Sequence, residues 1–185
     1  MNDNNPYAPP KADLELKPPV VPYMPMAAFV NTGPVGLGGW LILVGIGLVL
    51  GPLRQIVVLF TTFMPIFTNG TWDRLTNPAS DKYMPAFGPF LISELVVNLL
   101  FIAAMIAAAY HFFIKSRRFP KMYIALMSIN LVFIIGDAFV GKAVMNLDKA
   151  FDGATAVELG RSLVAAVVWI PYMLFSDRVS NTFVE

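Results

Sequence analysis

Four apolar stretches separated by short polar connections set the plan of this chain. They run over about 37–63, 87–114, 119–144 and 155–175. At 1.5 Å per residue, each is long enough to cross a hydrocarbon core of about 30 Å as a helix. Inside a bilayer the backbone must satisfy its own polar groups, so helices are the expected elements. The pattern predicts an all-α fold, a polytopic integral membrane protein built as a four-transmembrane-helix bundle. Residues 1–36 read differently. Seven prolines fall among the first 25 residues, which precludes a regular helix and predicts a polyproline or solvated arm. The domains expected are thus a Pro-rich arm over 1–36 and a transmembrane domain over 37–185. The first 17 residues are polar, without the apolar core of a cleavable signal peptide.

Small residues and prolines mark the spans. Gly47 and Gly51 form a G-x-x-x-G pair suited to close helix approach, and Ala104 and Ala108 repeat at i, i+4 to give a second packing face. Gly45, Gly47 and Gly51 resemble a degraded dinucleotide fingerprint, but no strand precedes them and the context is wholly apolar. Pro52 and Pro171 lie inside spans and predict kinks, whereas Pro120 suits a first helical turn.

Orientation follows from the short connections. Lys115, Arg117, Arg118 and Lys121 crowd the connection between the second and third spans, with no acid among them. The other two connections carry Arg74, Lys82 and Lys149 against Asp73, Asp81, Asp148 and Asp152. The basic connection is expected on the cytoplasmic side, and with four spans both termini lie there too. Its four cations are expected to meet anionic lipid headgroups.

Composition narrows the chemistry. The chain is 57% hydrophobic and 14% charged, against the quarter or so of a soluble domain. Its net charge of +1 offers no field for nucleic acid. Without cysteine, thiol catalysis and iron–sulfur ligation are excluded. The single histidine, His111, cannot build a multi-histidine metal site, and its setting among Tyr110, Phe112 and Phe113 suits an interfacial aromatic belt. No hydrolase, kinase or metalloprotease motif is present, so no cofactor is expected.

Charge inside the spans is the informative exception. Arg54, Glu94, Asp137, Glu158 and Arg161 lie within or at the edge of apolar stretches. On insertion scales a charge at mid-bilayer costs about 2.5–3.5 kcal/mol, so such groups are usually paired or functional. Counting along each helix places them in one layer, about 9–15 Å below the outer boundary. Neighbouring helices then predict Arg54–Glu94 and Asp137–Arg161 ion pairs, with Glu158 able to meet Arg161 at i, i+3. Two readings stay open: pairs that fix helix register, or a polar cavity that binds a ligand or relays protons. Asn98 and Asn130 fall deeper, near mid-membrane, where they bridge helices or extend a polar path.

Several of these residues also fall in a recognisable pattern. It comprises Gly38-Gly39-Trp40-Leu41 with Pro52-Leu53, Ser93-Glu94-Leu95 with Asn98, and Phe112-Phe113 through Arg118-Phe119-Pro120. It ends in Trp169-Ile170-Pro171-Tyr172 with Ser176, Arg178-Val179 and Thr182-Phe183. Together these resemble the YdgK-like family of uncharacterised bacterial inner-membrane proteins, a domain of unknown function, over about 36–184. The resemblance implies four membrane helices in a bacterial inner membrane. It implies no activity, cofactor or catalytic residue.

The expected function is therefore non-enzymatic: an accessory or assembly subunit of a larger membrane complex. Membrane lipids, other integral membrane subunits and a partner for the Pro-rich arm are the expected contacts. The alternative is a small transporter or channel that uses the buried charge layer. A lipid- or quinone-directed enzyme is a third possibility, but no nucleophile–base pair supports it.

Overall fold

A computed structural model describes residues 33–184. Residues 1–32 of the Pro-rich arm, and the partner expected for it, lie outside the described residues. Six helices follow one another: α1 (Trp40–Thr68), α2 (Thr71–Thr76), α3 (Phe87–Phe113), α4 (Phe119–Met145), α5 (Gly153–Phe175) and α6 (Asp177–Thr182). Among the described residues there is no strand. Helices α1, α3, α4 and α5 are long and apolar enough to cross a membrane, and the fold is that of a multi-pass, all-helical membrane protein. The 69–86 and 146–152 connections share one end of the bundle, called here the loop end. The Lys115–Lys121 segment and α6 mark the basic end.

Helix α1 runs five residues past the end expected at about 63, and the polar connection expected between the first two spans contains α2. The reason lies at Pro65. A π-helical turn over Leu59–Phe63 precedes it. The widened turn leaves room for the proline ring, which then occupies the first turn of a renewed α-helix, where its missing N–H costs nothing. Helices α1 and α5 both continue through their internal prolines, Pro52 and Pro171.

Helix ends follow local chemistry. Helix α3 closes with Lys115 at φ 55° and the Ser116 N–H donating to the His111 carbonyl at 2.9 Å, and α4 closes with Asn146 at φ 51°. At the start of α5 the Asp152 carboxylate accepts the Thr155 N–H at 2.7 Å. That bond holds the Asp152 carboxyl below its usual range. A depressed folded-state value gives stability that is present above the unfolded pKa, near 3.9, and lost as pH falls through the folded value. Asp152→Ala is expected to lower the melting temperature at pH 7, with the gap to the native protein closing on acidification. A gap that stays constant down to pH 3 (roughly a unit below the unfolded pKa) would rule out this role for the carboxylate.

Helix α1 packs on α3, α3 on α4, and α4 on α5. Helices α1 and α5 make no comparable seam, so the ring of four is open on that side. It is pinned at the basic end by an edge-to-face contact of Trp40 and Trp169, 6.0 Å between ring centres. The core also gathers at the basic end: Leu41, Val44, Leu48, Ala108, Phe112, Phe119, Met173, Val179 and Phe183. Phe112 lies 5.0 Å from Phe119 and 5.8 Å from Phe183, centre to centre.

Helix α6 locks the start of the domain beneath this core. The Gly36 N–H donates to the Thr182 hydroxyl at 2.8 Å, and the hydroxyl faces the Gly36 carbonyl at 3.4 Å. Arg178 reaches the carbonyls of Val35 and Gly36 at 3.4 and 3.5 Å. A side chain at Gly38 would come within 3.1 Å of the Arg178 guanidinium. Val35 and Gly36, assigned by sequence to the arm, are thus tied to the helical domain.

The glycines of α1 divide by neighbour. A Cβ at Gly51 would meet the flexible end of Met105, and one at Gly45 would meet the Phe112 ring at 3.0 Å. Gly47 has nothing within 4 Å. The close approach to α3 therefore uses Gly45 and Gly51, and Gly47 is corrected out of it. Of the two alanines, Ala108 is fully buried in the core and Ala104 half-buried. Gly45→Ala is expected to lower the melting temperature, because Phe112 is locked by aromatic neighbours. Gly47→Ala should leave it unchanged or raise it, since a helical glycine costs up to about 1 kcal/mol relative to alanine. Equal effects from the two would refute this division of roles.

Candidate functional site

The open side of the bundle holds a cavity of about 650 Å³. Helix α1 lines it with Gly47, Leu48, Gly51, Arg54 and Gln55, and α3 with Phe101 and Met105. Helix α4 adds Tyr123, Leu126, Met127 and Asn130, and α5 adds Ala154, Val157, Glu158, Arg161 and Ser162. All four spans contribute. The cavity lies where α1 and α5 make no seam of their own.

Two hydrogen bonds between helices define a polar level. The Gln55 side-chain amide donates to the Asn98 side-chain carbonyl, joining α1 to α3. The Asn130 amide donates to the Ser162 hydroxyl at 3.2 Å, joining α4 to α5. Arg54 and Arg161 are the chain neighbours of Gln55 and Ser162, so they belong to the same level. Asn98 and Asn130 thus both bridge helices here.

The acids lie elsewhere. Glu94 is one turn from Asn98 towards the loop end, and the Asn98 amide also donates to the Glu94 backbone carbonyl at 2.9 Å. Asp137 lies seven residues, about 10 Å, from Asn130 in the same direction. Glu158 lies one turn from Ser162. The Glu94 carboxyl lies beside that of Asp137, with Glu158 the next acid near it.

The single layer expected from counting along helices is therefore two tiers. A basic and amide tier holds Arg54, Gln55, Asn98, Asn130, Arg161 and Ser162. An acidic tier nearer the loop end holds Glu94, Asp137 and Glu158. The expected pairs are not made: among the described residues no ion pair joins Arg54 to Glu94, Asp137 to Arg161, or Glu158 to Arg161. Glu94 meets a second carboxyl instead. Depth along a helix gives axial position but not direction around it, and the direction of these side chains decides their partners.

Arg54 and Arg161 are both exposed at this cavity. Among the described residues only one acid, Glu158, shares the lining with them. Gln55, Tyr123 and Ser162 were not singled out from sequence. Their signal was an isolated polar group inside an apolar span, the same that marked Asn98 and Asn130. At the basic end, Lys115, Arg117, Arg118 and Lys121 are all exposed, and Arg117 donates to the Val184 carbonyl. Among the described residues no group of three His, Cys, Asp or Glu side chains is placed to hold a metal ion.

Fold and cavity define the class, a four-helix integral membrane protein with a polar pocket inside its spans. The chain belongs to the family described as "Protein of unknown function (DUF2569)", which matches residues 34–184. No curated protein and no solved structure matches it.

Proposed function

We propose that the domain binds an anionic ligand within the bilayer as a small transporter-like carrier, the alternative left open by the sequence. One observation carries the proposal. Arg54 and Arg161 line an open cavity with no carboxylate partner among the described residues. An unpaired guanidinium in an apolar span is costly, and an anion reaching the cavity relieves that cost. The exposed Lys115, Arg117, Arg118 and Lys121 support a basic end on the cytoplasmic side of a bacterial inner membrane, with both termini inside. The loop end then faces outward, and the narrower YdgK-like grouping rests on the Trp169–Tyr172 pattern. No catalytic step or cofactor is part of the proposal.

Native mass spectrometry from mild detergent tests it. The native protein is expected to carry an anionic adduct that Arg54→Gln/Arg161→Gln loses. Equal adducts on both would end the proposal.

The accessory-subunit reading draws on a different feature, an apolar groove of about 440 Å³ that includes Leu37, Ile42, Ile46, Val49 and Phe113. Cross-linking in native membranes should join this face to another membrane subunit. Recovery of a lone monomer counts against it.

A further inference from the structure

We infer that the anion is the headgroup of a membrane lipid carrying one negative charge, received from the side between α1 and α5, with an acyl chain along the outer face of α5. This rests on the anion-binding reading above and specifies its ligand. The polar cavity is not isolated from the apolar surface. A second groove of about 490 Å³ runs along α5 over Gly160, Arg161, Val164, Ala165, Val168 and Trp169. Arg161 borders both spaces. A ligand that fills both must be polar and anionic at one end and apolar along its length.

Three features select a lipid over a free anion. The bundle is open beside the shared Arg161, because α1 and α5 make no seam comparable to those between the other neighbouring spans. The charge count also fits: among the described residues, Arg54 and Arg161 against Glu158 leave one positive charge in the lining, complementary to one phosphodiester. Arginine is suited to bidentate phosphate contacts. The polarity fits as well. Arg161 lies eight residues from the start of α5, about 12 Å from the loop end, and the groove continues from it towards the basic end. Headgroup near the loop end and chain running inward is the direction of a lipid in the leaflet on that side.

The test uses the full-length protein in micelles doped with equal phosphatidylglycerol and phosphatidylcholine, with retained lipid read by native mass spectrometry. Phosphatidylglycerol should be retained in preference, and each of Arg54→Gln and Arg161→Gln should reduce retention about tenfold. Ala165→Trp, which fills the groove but leaves both arginines, should reduce it comparably. Val168→Trp serves as the second block, and circular dichroism melts confirm folding. Soluble glycerophosphoglycerol should compete poorly. If it competes fully and neither tryptophan matters, the anion site stands and the lipid assignment falls. If Ala165→Trp instead dissolves a dimer, a second copy occupies the groove and the assignment again falls. If the arginine variants retain lipid like the native protein, both readings fall.

Discussion

Phe112→Ala is expected to destabilise the domain by about 3–5 kcal/mol, the largest loss from any single side chain here. Phe112 is 2% exposed and stands where four elements meet. Its ring packs edge-to-face on Phe119 of α4, tilts against Phe183 after α6, and fills the space that Gly45 of α1 leaves open. Truncation leaves a void lined by α1, α4 and the segment after α6. Because the buried cluster that joins α1 to α3 lies at the basic end, the loss should also loosen α1 from α3. Thermal melts in one detergent, with Phe112→Leu as the milder control, measure it. A cost near that of an exposed apolar residue such as Val132 would show that the core is not centred here.

Removing both guanidiniums should act in the opposite direction. Arg54→Leu/Arg161→Leu is expected to leave the fold as stable as the native protein or more so. Each arginine costs about 2.5–3.5 kcal/mol at mid-span on insertion scales, and among the described residues neither is joined to a carboxylate by an ion pair. In a closed intrachain pair the sign would reverse, because a buried partner left unpaired costs several kcal/mol. Stability retained while ligand is lost marks a charge held for binding. Expression level and melting temperature in detergent read the first half, and retained adduct reads the second.

The spans were legible because a bilayer permits few alternatives: an apolar run of this length is a helix. The ends of α3 and α4 fall within one residue of the expected limits. The end of α1 was missed because proline usually stops a helix, and the π-turn that accommodates Pro65 has no simple sequence mark. The residues of the site were legible too, since a charge in an apolar run is conspicuous. Their partners were not. Glu94 and Asp137 look like natural mates for arginines when only depth is counted, yet rotation about the helix axis turns them to each other. The lock between Gly36 and Thr182 joins residues 146 positions apart, beyond any local pattern. Several of the residues that carried the family resemblance, Gly38, Gly39, Arg178 and Thr182, meet there.

The most direct measurement is a pair of double-mutant cycles on thermal stability in one lipid–detergent mixture. One takes Arg54→Leu with Glu94→Leu, the other Arg161→Leu with Asp137→Leu. Without intrachain ion pairs, the arginine and acid changes should add within about 0.5 kcal/mol in both cycles. A coupling of about 1 kcal/mol or more in either cycle would show that the arginine is spent on its own chain, and would contradict a cavity held open for an anion.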